Sequence, residues 1–322
     1  MSRLSYQIPN FNYPGVAPAD LYDVLIAQAK EADASGFDRL TVMDHFYQLP
    51  GIGAHDEAMI EAYTLLAALA QHTENMRLGT LVTGNTYRNP AMLAKIITAL
   101  DVVSHGRATL GIGAGWYELE HQAMGYDFGS FTDRFERLEE ALQIVLPLLR
   151  GEIASLAGER YQVSDFVNSP QPVSKVPIMI GGSGEKKTLR MVAQYADESN
   201  LVGLRSPEDI PRKLEALDGH CERLGRDRSE ISVTLLVAAN IAPTMEQADE
   251  ELRALLAHKG QPAEMFEPVK AMLAHGDPET VGEKLATFTA TGLDGLAVSL
   301  MANGHMPGRV AMLGEVATAA LQ

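Results

Sequence analysis

His45 follows Asp44 at the end of an apolar run, in Met43-Asp44-His45-Phe46. An imidazole titrates near neutral pH and can give a proton to, or take one from, a reacting group. It can equally hydrogen-bond within its own loop, so the pair is a candidate and not yet a site. A second cluster, Thr83-Gly84-Asn85-Thr86, sets small hydroxyl and amide groups beside a glycine. Such groups can hydrogen-bond a planar heterocycle. Two glycine turns complete the set: Gly111-Ile112-Gly113-Ala114-Gly115 and Gly181-Gly182-Ser183-Gly184, each closing a short apolar run. An apolar run closed by glycines and followed by a helical pattern reads as a buried parallel strand feeding a helix. Glycines there let a ligand approach the backbone, and the N–H groups opening the next helix favour an anion. Two such junctions imply one phosphate-bearing cofactor lying across the ends of several strands.

Neither turn is a nucleotide fingerprint. A dinucleotide motif starting at Gly111 needs glycine at 116, where Trp116 stands, and the stretch Gly182 to Thr188 lacks a glycine before Lys187. Trp116, the sole tryptophan, either walls a flat cofactor or packs its helix on the barrel; it leads into Tyr117-Glu118-Leu119-Glu120-His121. The chain has no His-Glu-x-x-His, paired histidines or aspartate cluster, so no metal is expected.

Strand-like and helix-like segments alternate along the whole chain. Strands are expected at Leu4–Ile8, Arg39–Met43, Arg77–Val82, Ala108–Ile112, Ile178–Ile180, Ser199–Val202, Ile231–Ala239 and Leu293–Leu300. Helices are expected at Pro18–Ser35, Glu57–His72, Pro90–Val103, Phe131–Leu149, Glu185–Ala196, after Ser206-Pro207, in two stretches up to Thr291, and at Pro307–Leu321. Asn89-Pro90 is a favoured helix opening, with Asn as cap and Pro in the first turn. Eight strand–helix units predict an α/β fold, a (β/α)8 TIM barrel forming a single domain over 1–322, with an insertion at about 151–176 that has a strand-like Arg160–Val163. In that fold the loops after strands two to five open on one face, where the site belongs.

The formal charge of −16 argues against nucleic-acid or anionic-membrane partners, which need basic surfaces. One cysteine, Cys221, excludes an internal disulfide, and no apolar run reaches membrane-spanning length. A cytoplasmic protein with a small-molecule substrate is expected. Ala58, Ala62, Leu65, Leu66, Ala68 and Leu69 give the second helix more apolar breadth than one barrel contact uses.

Taken in order, Met43 to Phe46, Leu78 to Pro90, Ser104-His105-Gly106-Arg107, Gly111 to His121 and Ile178 to Gly184 resemble the luciferase-like monooxygenase superfamily. Within it the chain looks most like the coenzyme F420-dependent oxidoreductases, with FMN as the alternative cofactor. The resemblance implies that Asp44 and His45 lie by the deazaflavin's reactive centre. It implies further that Leu81, Val82, Thr83, Gly84 and Asn85 underlie the ring, with a non-proline cis peptide in this region. Ala114, Gly115, Trp116 and Tyr117 would contact the ring and its side chain, and Gly181, Gly182, Ser183 and Gly184 the phosphate. The resemblance also implies a homodimer built on Glu57–His72 and Pro90–Val103, which the apolar breadth of the second helix supports. His45, Glu118 and Tyr117 are the candidates for delivering a proton. One departure bears on chemistry: F420-dependent sugar and alcohol dehydrogenases of the superfamily carry a glutamate directly after the strand-four glycine turn. Here that place holds Trp116, which favours reduction of a hydrophobic acceptor. An FMN-dependent monooxygenase and a non-catalytic flavin-binding barrel are the competing readings.

Overall fold

The computed structural model describes residues 4–204 and 206–322. Strands β1 (Leu4–Ile8), β2 (Arg39–Val42), β3 (Arg77–Thr80), β4 (Thr83–Gly84) and β5 (Leu110–Gly113) come first. The antiparallel pair β6 (Ala154–Ala157) and β7 (Gln162–Phe166) follows, then β8 (Ile178–Gly181), β9 (Glu198–Leu201), β10 (Ser232–Ile241), β11 (Ala274–Gly276) and β12 (Gly295–Leu300). The parallel strands run in the order β3-β2-β1-β12-β10-β9-β8-β5-β4, with β11 added beside β10. Closure comes at Leu78, whose N–H donates to Arg107 O at 2.8 Å and whose carbonyl accepts Thr109 N–H at 2.8 Å. The result is the expected TIM barrel.

Helices α1 (Leu21–Asp33), α2 (Ala62–Leu69), α3 (Pro90–Val103), α4 (Glu118–Met124), α5 (Phe131–Leu149) and α6 (Thr188–Tyr195) cover its first side. The second is covered by α7 (Ile210–Leu224), α8 (Met245–His258), α9 (Phe266–Lys270), α10 (Pro278–Thr289) and α11 (Arg309–Ala320). Local chemistry explains the best-defined of these. Ser130 and Asp133 form a reciprocal capping box at the start of α5, and Phe135, Leu138, Leu142, Val145 and Leu149 make its buried stripe. Asn89 accepts Ala91 N–H at 2.9 Å to cap α3, with Pro90 in the first turn.

Four expectations need correction. The third strand does not run to Val82: it stops at Thr80, the Leu81–Val82 peptide is cis, and pairing resumes with β5 only at Thr83–Gly84. The second helix is shorter than Glu57–His72, because Glu61 caps it by accepting Thr64 N–H and Glu57 is used instead by the loop, accepting Ala54 N–H at 3.1 Å. Leu65, Leu66 and Leu69 are already buried in this protomer's own core, so α2 needs no second copy to cover it. Finally, α6 starts at Thr188, three residues later than the glycine turn suggested, and the insertion folds as a full hairpin around the expected Arg160–Val163.

The barrel floor is closed by an ion pair. Arg39 opens β2 and Glu198 opens β9; the guanidinium forks onto the carboxylate with both contacts at 2.7 Å, and each side chain is 1% exposed. Cys221 is buried in α7, and burial pushes its thiol pKa up, as suits an unreactive core cysteine.

Candidate active site

At the opposite end of the strands lies a cavity of about 660 Å³. Its polar wall is built from strand interiors: Gln7, whose amide donates to Leu81 O at 3.1 Å, Asn200, whose amide donates to Thr234 Oγ1 at 2.8 Å, and Ser299. One side is a ridge made by Leu81 and Val82. A Cβ on Gly181 would come within 2.9 Å of both Val82 methyls, and one on Gly113 within 3.1 Å of Cγ2. These two glycines therefore admit the protein's own Val82 side chain, which in turn shapes the cavity. Both glycines also line the cavity.

The adjacent residues Asp44 and His45 face different environments. Asp44 is buried and accepts a fork from Arg88, at 2.6 and 3.0 Å, together with the Thr83 hydroxyl. Burial opposes the Arg88 charge, but Asp44 overrides it and holds the guanidinium above its ordinary pKa. Arg88 also reaches Glu61 at 2.7 Å and lies 4.8 Å from the Tyr63 ring centroid. Asp44 is not among the cavity-lining residues; it ties the end of β2 to the loop before α3.

His45 does line the cavity. Its Nδ1 lies 2.8 Å from Glu120 Oε2, and its side chain keeps about 10% of its exposure. Glu120 is fully buried and collects three further donors. Its Oε1 accepts Phe46 N–H at 2.5 Å and Tyr47 N–H at 2.9 Å, and its Oε2 accepts the Tyr87 hydroxyl at 2.5 Å. Burial alone would raise this carboxyl, but the donors led by His45 outweigh it and hold it below the ordinary value. The Tyr87 hydroxyl moves the other way, raised by burial and by the carboxylate it serves. An ionised carboxylate only accepts, so the proton of this contact sits on Nδ1. Nε2 is left toward the cavity, with no hydrogen-bond partner among the described residues.

The glutamate beside His45 is Glu120 and not the expected Glu118. Glu118 is exposed at the start of α4 and accepts Gln122 Nε2 at 3.1 Å, away from the cavity. Two residues along a helix turn the side chain by roughly 200°, which aims Glu120 at His45. The phase of α4 was the missing signal. It is set by His121, whose Nδ1 lies 2.8 Å from Tyr117 O and whose Nε2 lies 2.7 Å from Thr86 Oγ1.

Of the other expected residues, Leu81, Val82, Thr83, Gly84, Ala114, Gly115, Trp116, Gly181 and Gly182 line the cavity. Asn85, Tyr117, Ser183 and Gly184 do not. The Asn85 amide donates to Gly113 O at 3.2 Å, and the Ser183 hydroxyl donates to Val202 O at 2.7 Å. Both stitch turns together. Gly182 has φ +128°, a conformation open to glycine, and a Cβ there would press on Thr188, itself a lining residue. Residues the sequence did not single out are Gln7, Asn200, Ser299, Thr188, Met272 and Met301, whereas Leu49 and Ile52 belong to the 48–56 loop, which as a variable loop after the second strand is a natural pocket wall. No group of His, Cys, Asp and Glu among the described residues could hold a metal.

A TIM barrel with an apolar cavity at its strand ends, one histidine facing in and a glycine turn at the far side belongs to the class of cofactor-using barrel enzymes. The family is shown by comparison: the model for luciferase-like monooxygenases matches residues 3–295, and the chain belongs to that family. It is 32% identical over 224 residues to an F420-dependent glucose-6-phosphate dehydrogenase of Microbacterium testaceum, a match spanning 69% of this chain and 65% of the relative. A second enzyme so named, from Tsukamurella paurometabola, is 31% identical over 248 residues, covering 73% of this chain and 69% of its own. Among solved structures, an F420-dependent secondary alcohol dehydrogenase in complex with an F420-acetone adduct superposes with TM-score 0.79 at 20% identity, over 100% of this chain and 99% of that one. The monooxygenase RslO1 from Streptomyces bottropensis gives 0.81 at 17% identity, over 98% and 99%. These two likenesses concern the fold.

Proposed function

We propose that this protein is an F420-dependent oxidoreductase that reduces a small organic substrate, with His45 delivering the proton. The observation that carries the reading is the pairing of His45 with the buried Glu120 at the edge of a cavity backed by the Leu81–Val82 ridge. The residues present fit a flat heterocycle with a phosphate-bearing tail. The ridge offers an apolar face, while Asn200 and Ser299 bring amide and hydroxyl groups to the cavity wall. Gly182 and Thr188 bring backbone and hydroxyl groups to the far end, near the start of α6, where an anion is favoured. When bound, a deazaflavin supplies two-electron hydride chemistry. The chain contributes the rest. Glu120 keeps the Nδ1 proton in place, so Nε2 is the nitrogen that takes up and releases the mobile proton beside the substrate.

Asp44 on this reading is a positioning residue, and Glu118 has no part in the chemistry. The protein works in the cytoplasm as a homodimer; since α2 is covered internally, the face that would pair presents Met92 and Val103 of α3.

Titration of the purified protein with F420 and with FMN, followed by cofactor fluorescence, tests the assignment. Micromolar or tighter F420 binding with weaker FMN binding is expected. Tight FMN and no F420 binding would replace the reading with a flavin-dependent monooxygenase.

A further inference from the structure

The two oxygens of Glu120 are held differently. Its Oε1 accepts the backbone N–H groups of Phe46 and Tyr47, which fix the direction of the carboxylate. Its Oε2 accepts two side chains at once, Nδ1 of His45 at 2.8 Å and the Tyr87 hydroxyl at 2.5 Å. The hydroxyl is not needed to orient the carboxylate. It competes with the imidazole for one oxygen.

The fold builds Tyr87 into this position. The residue comes from the loop before α3 and is 6% exposed. Its ring meets Phe46 with centroids 4.9 Å apart and planes at 63°, and His121 at 5.0 Å. Gly84 makes the room, since a Cβ there would come within 2.8 Å of Tyr87 Cε2. A separation of 2.5 Å suits a hydroxyl donating to an ionised carboxylate. Burial first, and then that carboxylate, raise the Tyr87 hydroxyl above its ordinary pKa, so it remains a donor.

The protonated His45–Glu120 pair has two possible arrangements. In one, both ring nitrogens carry protons beside an ionised carboxylate. In the other, the Nδ1 proton has crossed to Glu120, leaving a neutral ring protonated at Nε2. Only the first makes Nε2 a strong acid, because a neutral imidazole gives up its proton far less readily. A second donor on Oε2 makes that oxygen a poorer proton acceptor and so favours the first arrangement. The other ionisable groups nearby do not take over this task. Asp44 and Arg88 act on the Tyr87 hydroxyl in opposite directions and pair with each other. Tyr47 and Tyr117 are phenols flanking the pair, and the His121 nitrogens face Tyr117 O and Thr86 Oγ1.

We infer that Tyr87 is a positioning residue for proton delivery: by donating to the oxygen that holds His45, it keeps the shared proton on Nδ1, so that the protonated site is an imidazolium beside an ionised Glu120. This deepens the proposed function and rests on it for turnover, but not for the state of the pair.

The cofactor-free protein, labelled with 15N-histidine and 13C-glutamate, is titrated by NMR, with His45→Ala and Glu120→Gln assigning the signals. In the wild type the Glu120 carboxyl should stay ionised while His45 takes up its second proton. Tyr87→Phe keeps the packed ring and removes only the hydroxyl. In that variant the Glu120 carboxyl should take its proton at higher pH than in the wild type, and the protonated state should show neutral-ring character at His45. With F420 and a reducible organic acceptor that the wild type turns over, kcat should fall about tenfold in Tyr87→Phe, with KM within about threefold. Adding Tyr87→Phe to Glu120→Gln should cost less than about threefold more, because no ionised carboxylate is left to tune. A hydroxyl that served packing alone would cost the same in both backgrounds. Carboxyl and imidazole titrations in Tyr87→Phe that match the wild type overturn the inference, as do fully additive losses in the double variant. If F420 fails to bind, the cofactor reading falls, while the NMR titration without cofactor still decides the role of Tyr87.

Discussion

At the floor of the barrel β2 begins with Arg39, whose guanidinium meets both oxygens of Glu198 at 2.7 Å; at the mouth the same strand leads to His45, which meets Glu120 through one ring nitrogen at 2.8 Å. Both acceptors are fully buried carboxylates. At the floor each carboxylate oxygen is matched to a guanidinium N–H and both side chains are sealed, so although Arg39 Nε is left without a partner, no ligand reaches it. At the mouth the carboxylate is saturated by four donors, but the histidine it holds keeps Nε2 facing the cavity. A buried charge pair becomes a site when one partner remains half-used. Asp44 offers a parallel from next door: its carboxylate is engaged by the fork to Arg88.

Substitution at the mouth should cost turnover and leave the fold. His45→Ala is expected to lower turnover by roughly 10²–10⁴-fold, the usual contribution of a positioned acid or base. F420 affinity should stay within about tenfold, and the thermal midpoint close to wild type. Steady-state rates with a reducible organic acceptor that the wild type turns over, measured beside F420 titrations, check this; wild-type turnover in the variant would place the proton donor elsewhere and erase the contrast.

At the floor the pattern should invert. Arg39→Ala leaves Glu198 buried and unpaired, and is expected to cost about 3–5 kcal/mol of stability. Turnover per folded molecule should hold. The double change Arg39→Met with Glu198→Leu should recover most of that loss, since well-packed apolar residues can replace a buried ion pair. Urea denaturation of the three proteins decides whether the floor pair serves stability alone.

Glu120→Gln sharpens the comparison with a smaller effect. It keeps the size of the side chain, removes the charge and places an amide N–H among donors, so turnover should fall about ten- to a hundredfold. Cofactor affinity should change little. Because the folded carboxyl lies below its ordinary value near 4.5, its stabilising contribution is complete above that value and is lost as pH falls through the folded pKa. The stability gap between wild type and Glu120→Gln should therefore be largest near neutrality and shrink in acid. A gap that is constant from neutral pH into acid would show that Glu120 is not held ionised by its donors.

Elements whose signals are local are legible in the sequence. Helix α5 occupies Phe131–Leu149 as read, since its capping box and stripe lie within the segment itself. The cap of α3, the glycine turns and the order of strands that makes a barrel were legible for the same reason. His45 was legible as a candidate because it ends a strand.

What the sequence by itself determined is thus the fold and the face on which the site sits, because turn residues, caps and hydrophobic periods act between near neighbours. Tertiary structure alone decided the partners. Arg88 lies 44 residues from the Asp44 it neutralises, Glu120 lies 75 from His45, and Glu198 lies 159 from Arg39. Side chains so distant in sequence meet only when the barrel closes and each helix settles into its phase. That is why two glutamates two positions apart, Glu118 and Glu120, end with one in solvent and the other holding the imidazole.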